Sequence, residues 1–134
     1  MTHKTIISST LFLISLTLIL SQSAFAERTL TTAEVTQLFS GNTYAATIPS
    51  RNIKMTVFVD PNGTLRGMQA GHKFTSKWET NDKGEICVSY KERLSCRYVM
   101  EEEGIYKKYK INEQGEKVVL VIYQSFTPGN VHNY

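Results

Sequence analysis

The sequence has little of what would indicate a linker, a catalytic centre rich in His and Cys, or a nucleic-acid surface. It contains 3 Pro, 2 Cys and 3 His in 134 residues, and its formal net charge is only +3. No run of Lys and Arg is longer than Lys107-Lys108, which argues against a basic groove for nucleic acid. The length is that of one domain, and 41% apolar residues argue against disorder. With 7 Tyr and 6 Phe beside so little Pro, the composition favours strands.

Catalytic motifs are also missing from the sequence. It holds no Gly-x-Ser-x-Gly, His-Glu-x-x-His or phosphate-loop pattern, and only His72 and His132 lie beyond the first few residues. General acid–base catalysis needs paired titratable groups in a cleft, and no such pair is indicated. We therefore expect a protein that is not an enzyme and holds no metal.

Two acidic segments are interpreted as turns rather than as cation sites. Residues 60–63, Asp-Pro-Asn-Gly, resemble a fragment of a calcium loop but lack its spacing and its distant Glu. Residues 101–103 are three adjacent glutamates before Gly104, which is typical of a solvated turn. Lys107, Lys108 and Lys110 are placed to neutralise these glutamates across a hairpin.

The first 26 residues have the pattern of a bacterial signal peptide. Lys4 lies in a short basic region, residues 5–20 carry no charge, and Ala24-Phe25-Ala26 fits a signal peptidase. An uncleaved anchor is the alternative, but the uncharged run is short for a bilayer span of about 20 residues. No Cys lies at the cut, which argues against a lipid anchor. We predict cleavage after Ala26, one domain over 27–134 without a membrane span, and export to the periplasm or beyond.

One helix is predicted, over residues 32–40. Thr31 and Glu34 fit a capping box, and Gly41 fits a left-handed C-cap. Three apolar residues lie on one face at helical spacing, namely Val35, Leu38 and Phe39.

The rest of the chain alternates apolar and polar residues between turns. The pattern predicts eight strands, at residues 43–48, 53–59, 64–70, 72–79, 86–90, 94–100, 105–111 and 118–126. No connection is long enough for a parallel crossover. We therefore predict an all-β fold, an eight-stranded antiparallel up-and-down barrel of lipocalin-like shape with one short N-terminal helix. A two-sheet sandwich is the alternative.

The two cysteines are predicted to form a disulfide. A hairpin centred on Lys91-Glu92 sets Cys87 directly opposite Cys96, within bridging reach. In an exported protein a structural bridge is favoured over a redox switch. This register puts Cys87 on the face of Tyr98 and Met100, although Ile86 and its alternate neighbours are the more apolar set. Either both faces are covered there, or a bulge shifts the register.

The layout is similar to the bacterial family known as domain of unknown function 995. The motifs that carry the resemblance are Leu30-Thr31-x-x-Glu34, Gly41-Asn42-Thr43, Asp60-Pro61-Asn62-Gly63, Trp78-Glu79, Gly84-Glu85-Ile86-Cys87 and Cys96. They cover most of the chain after residue 26. The resemblance implies a small secreted barrel and names no catalytic residue. Some small secreted proteins of this general kind carry a hemin-binding label.

A ligand site inside the barrel is one hypothesis. His72, Phe74 and Trp78 share a strand face, and Met55, Met68, Tyr98 and Met100 are candidates from other strands. Heme is a possible ligand because His and Tyr are established axial ligands, although no covalent attachment motif is present. Another small apolar molecule and a core filled by its own side chains are the alternatives.

Binding of another protein is the second hypothesis. A barrel with a filled core could act as a periplasmic inhibitor through residues 49–52 and the tail at 127–134. The partner is then a periplasmic or extracellular protein, and neither hypothesis involves nucleic acid.

Overall fold

A computed structural model of the protein describes residues 26–134. The predicted signal peptide therefore lies outside the described residues, apart from Ala26. The strands, in chain order, are β1 (Arg28–Thr29), β2 (Asn42–Ile48), β3 (Ile53–Val59), β4 (Thr64–Gln69), β5 (His72–Thr80), β6 (Glu85–Tyr90), β7 (Arg93–Glu102), β8 (Ile105–Ile111) and β9 (Lys117–Pro128). The helices are α1 (Thr32–Phe39) and a single 3-10 turn (Pro49–Arg51).

Strands β2 to β9 form the predicted closed barrel. Each pairs antiparallel with the next, and β9 returns to pair with β2, so that the sheet has no free edge between them. The two-sheet sandwich is therefore wrong. The two-residue strand β1 is additional and pairs with β7 at Met100 and Glu101. It is too short to show an alternating pattern, which explains why the sequence did not indicate it.

Helix α1 has the predicted capping box. The Thr31 hydroxyl accepts from the Glu34 amide at 3.3 Å, and the Glu34 carboxylate accepts from the Thr31 amide at 2.8 Å. These bonds satisfy amides that the helix cannot pair internally. The hydrogen bonds with Thr31 lower the pKa of the Glu34 carboxyl, and the hydrogen bond from the Arg28 guanidinium lowers it in the same direction. Gly41 follows the helix at a φ of 77°, the left-handed conformation that the prediction assigned to it.

Short hairpin turns set the register of the barrel. Ala70-Gly71, Lys91-Glu92 and Glu103-Gly104 have positive φ at both central residues, which matches the twist of the flanking strands. Lys91-Glu92 is the only one of these three pairs without glycine, and a left-handed conformation is costly for such residues. Register is kept there by the Cys87–Cys96 disulfide, whose Cα atoms lie 3.9 Å apart. The predicted disulfide is confirmed.

No register shift occurs between β6 and β7, so both faces of this part of the sheet hold buried residues. Ile86 belongs to the core inside the barrel, whereas Cys87 lies on the other face and is also buried. The sequence left two explanations open, a bulge or burial of both faces. The structure has no bulge here, and both faces are buried.

Candidate functional site

The barrel is closed at one end by the helix. Val35 and Phe39 are completely buried there. The ring of Phe39 meets those of Tyr44, Tyr123 and Phe126 edge-on at 5.2–5.8 Å between centroids. Burial raises the pKa of Tyr44 and Tyr123 well above the ordinary value for tyrosine. This end of the interior is filled by side chains.

The opposite end, which we call the mouth, is built from the turns between β2 and β3, β4 and β5, β6 and β7, and β8 and β9. The side chains of the inward face become more exposed toward the mouth. On β5, Trp78 is 9% exposed, Phe74 is half-buried and His72 is exposed. On β6, Ile86 is buried, Val88 is half-buried and Tyr90 is 68% exposed. The interior is therefore solvent-accessible at the mouth and closed at the helix.

Four of the predicted ligand-site residues share the inward face, but at different depths. His72, Phe74 and Trp78 alternate along β5 as predicted, and Met55 is paired with Gln69, which is itself paired with His72. Trp78 lies at the closed end, where its indole Nε1 donates to the Asp60 carbonyl at 2.8 Å. Its contacts are those of a core residue that fixes the turn at residues 60–63.

The other predicted residues do not join this group. Tyr98 and Met100 flank Val99, a core residue, and successive side chains of a strand point to opposite faces. Tyr98 therefore lies outside the barrel, where its ring stacks on that of Tyr109 at 5.7 Å. Met68 is paired with Thr56 and also lies on the outer face. The expectation that Tyr98 and Met100 face the barrel interior is wrong, because both faces of this part of the sheet are apolar and these two residues lie on the outer one.

The sequence reasoning missed two cations on the inward face, Arg97 and Lys108. Arg97 is paired with Ile86, and Lys108 is paired with both Val99 and Val121. All three partners belong to the core. Neighbours across a ladder share a face, so both basic side chains project into the barrel.

Lys108 is far from an ordinary surface lysine. The side chain is half-buried, and burial together with the nearby positive charge of Arg97 lowers its pKa to about 8. Among residues 26–134, neither Lys108 nor Arg97 forms an ion pair. The nearest carboxylate on this face of β7 is that of Glu101, which pairs with Arg28 at 2.7 Å.

Arg97 has donors that remain to be used. One guanidinium nitrogen, Nη1, donates to the Cys96 carbonyl at 2.7 Å. Its Nε is buried and has no hydrogen-bond partner within the described chain. Buried polar atoms are paired in the great majority of cases. Among the described residues, Nε of Arg66 is the other buried side-chain nitrogen without a partner, but that guanidinium is already paired with Asp60.

Only one of the three lysines grouped by the sequence reasoning makes the predicted contact. Lys107 pairs with Glu102 at 3.0 Å on the outer side, as predicted. Lys108 points the other way. Strand alternation was the signal that distinguishes these neighbours, because Arg97 and Val99 have the same parity and Lys108 is the partner of Val99.

A groove of about 600 Å³ lies at the mouth, and Arg97 is the member of this pair of cations that lines it. Its lining residues are Tyr90, Lys91, Arg93, Leu94, Ser95 and Arg97. Every charged residue in this lining is basic. The acidic residue of the same turn, Glu92, lines a different depression on the outer side of β5 and β6.

Comparison with protein-family models, with curated proteins and with solved structures found no match to this chain. The resemblance to domain of unknown function 995 therefore stays a prediction. Among residues 26–134, no helix has the length and apolar character needed to cross a membrane. The same residues contain no group of three or more His, Cys, Asp or Glu side chains arranged to hold a metal ion.

Proposed function

We propose that this protein is a small exported binding protein that holds an apolar molecule in the half of the barrel next to the mouth. The observation that carries the proposal is the gradient of burial along the inward face. A core filled from end to end would bury Phe74 and Val88 as completely as it buries Ile86 and Val57, yet both are half-buried. Small-molecule sites are concave and mainly apolar, which this half of the barrel provides.

The wall of the proposed site consists of apolar side chains that rest on the core. The partly buried members nearest the mouth are Ile48, Met55, Phe74, Val88 and Leu120. They come from five different strands, so they surround the interior. Gly67 faces Phe74 across the β4–β5 ladder. A Cβ at Gly67 would lie 2.2 Å from the Thr56 carbonyl oxygen, so close packing of β3 against β4 requires glycine there.

Export is part of the proposal. The Cys87–Cys96 disulfide supports an oxidising compartment, because such bonds are rare in the cytosol of most organisms. The Ala24-Phe25-Ala26 pattern supports the periplasm or the outside of a bacterium.

The first experiment is native mass spectrometry of protein purified from its own host, followed by titration with Nile red, a neutral dye that fluoresces in apolar sites. We expect a retained ligand or saturable dye binding. Phe74→Ala should weaken dye binding, and Thr75→Ala, the next residue on the outer face, should not. Absence of both a retained ligand and dye binding would overturn the proposal.

Heme is one candidate ligand, since His72 lies at the mouth with an exposed imidazole. Hemin and metal-free protoporphyrin IX separate iron ligation from binding of the macrocycle. If His72 ligates the iron, His72→Ala should weaken hemin binding and leave protoporphyrin binding unchanged. Equal losses for both would show that His72 does not act through the metal.

Binding of another protein is the second candidate function. Tyr90 and Leu94 are 68% and 53% exposed at the tip of the disulfide-bridged hairpin, and exposed large apolar residues are typical of interaction sites. The tail is less suited to that role than the sequence suggested. The Tyr134 hydroxyl bonds to that of Thr56, and Asn130 holds the Tyr134 backbone. Under this function, Leu94→Ser should abolish capture of a periplasmic partner without changing dye binding.

A further inference from the structure

We infer that the bound molecule carries a carboxylate or a similar oxyanion, and that Arg97 and Lys108 bind this group inside the barrel. The inference rests on the proposed function and specifies the chemical class of the ligand. The ligand is then an amphipathic anion, with its apolar part against the wall described above and its charged part against β7 and β8.

The geometry places the two basic groups beside each other. Val99 and Lys108 are direct partners across the β7–β8 ladder, and Arg97 lies two residues before Val99 on the same face. Such diagonal neighbours lie roughly 7–8 Å apart, with their Cβ atoms somewhat closer, which is within reach of long side chains. Both groups can therefore contact the two oxygens of a single carboxylate.

The donors that this carboxylate would engage are the ones without partners in the described chain. These are the buried Nε of Arg97, which has no hydrogen-bond partner, and the ammonium of Lys108, which forms no ion pair. Two cations of like charge on one buried face repel each other, and an anion between them removes that repulsion. A guanidinium also presents two parallel N–H groups to the two oxygens of a carboxylate.

The charge at the mouth favours the same class of ligand. Lys91 and Arg93 line the groove through which Arg97 is reached, and that lining holds no acidic residue. A basic rim raises the local concentration of anions. An oxyanion on a purely polar ligand would satisfy the cations but leave the apolar wall unused, so we favour a carboxylate on an apolar body.

The test compares decanoate with decan-1-ol, two ligands of equal chain length that differ in charge, by displacement of Nile red at pH 7. Wild-type protein should bind decanoate at least about tenfold more tightly, the ratio expected for a hydrogen-bonded charge. Arg97→Met and Lys108→Met should each remove most of this ratio while leaving decanol affinity within about twofold. Lys107→Met, an adjacent lysine on the outer face, is the matched control and should retain the ratio.

The outcomes separate this inference from the function on which it rests. Equal binding of acid and alcohol by wild type would overturn the inference and leave the apolar site intact. Failure of both ligands and of the dye would overturn the proposed function itself. Arg97→Lys, which keeps the charge, should restore part of the ratio that Arg97→Met removes, and unchanged decanol affinity in each variant shows that the fold is intact. Protoporphyrin IX carries its carboxylates on a large ring. Tighter binding of protoporphyrin IX than of decanoate would indicate that the carboxylate belongs to a macrocycle and not to a linear chain.

Discussion

Replacing Lys108 by methionine should stabilise the ligand-free protein, although the substitution removes the proposed binding group. Its folded pKa of about 8 lies well below the ordinary value of 10.5. A pKa unit corresponds to about 1.4 kcal/mol, so the charged lysine costs the fold about 3 kcal/mol at pH 7. Methionine fills a similar volume without a charge and removes this cost. We expect a gain of a few kcal/mol in the free energy of unfolding, measured by urea denaturation at pH 7.

The pH dependence gives the same prediction an independent check. Between pH 8 and pH 10.5 the unfolded chain binds more protons at Lys108 than the folded chain, so wild-type stability should rise with pH in that window. The difference between wild type and Lys108→Met should therefore shrink toward pH 10.5. Other titrating groups cancel in this difference. Lys107→Met loses only an ion pair with Glu102 and should change stability by less than about 1 kcal/mol. An unchanged or lower stability of Lys108→Met at pH 7 would refute the reasoning.

Four further results are expected. Replacing Cys87 and Cys96 together by alanine should lower the free energy of unfolding by about 2–3 kcal/mol, measured by urea denaturation without reductant; a loss near zero would contradict a structural role. Glu92→Gly should raise it by about 1 kcal/mol, because Glu92 has a φ of 64°; a decrease would show that its side chain matters more than its backbone. N-terminal sequencing of exported protein should begin at Glu27; a chain that retains Met1 in the membrane fraction would contradict it. Affinity for decanoate, but not for decanol, should fall as pH rises through 8 and Lys108 of the free protein loses its proton; a flat profile would exclude Lys108 from the site.

The last of these results depends on which groups share the inward face with Lys108. The titratable or charged neighbours on β7, β8 and β9 are Arg97, Glu101, Tyr106, Lys110 and Tyr123. Glu101 is paired with Arg28, and burial raises the pKa of Tyr123 well above its usual value. Lys110 is exposed, so solvent screens it. Lys108 is therefore the group expected to lose its charge near pH 8.

Much of the fold follows from signals that are local in the sequence. Alternation and glycine-containing turns act within a hairpin, so each strand and its neighbour could be predicted from a short window. The capping box of Thr31 and Glu34 is equally local. Closure into a barrel was predicted from the number of strands. Strand β1 was not predicted, because it is stabilised by pairing with β7, which lies far away in the chain.

The site was harder to predict because assigning it requires knowing which face is inside. Both faces around Cys87 are buried, so hydrophobicity could not decide between them. The sequence therefore favoured Tyr98 and Met100 as residues of the barrel interior. It did not indicate Arg97, which lies between Cys96 and Tyr98. The register of the Cys87–Cys96 pair fixes the answer once Ile86 is known to be in the core, because Ile86 is then the partner of Arg97.

The pair Arg97 and Lys108 is also where the chain departs from what stability alone would select. The core inside the barrel is otherwise apolar, and two basic residues of the outer face have carboxylate partners, Arg66 with Asp60 and Lys107 with Glu102. Two like charges on a buried face are costly, and substitution by an apolar residue would relieve that cost. Departures of this kind are expected where a residue serves binding rather than folding. A variant that gains stability while losing preference for the anionic ligand would show that the replaced residue lowers the stability of the fold and contributes to ligand binding.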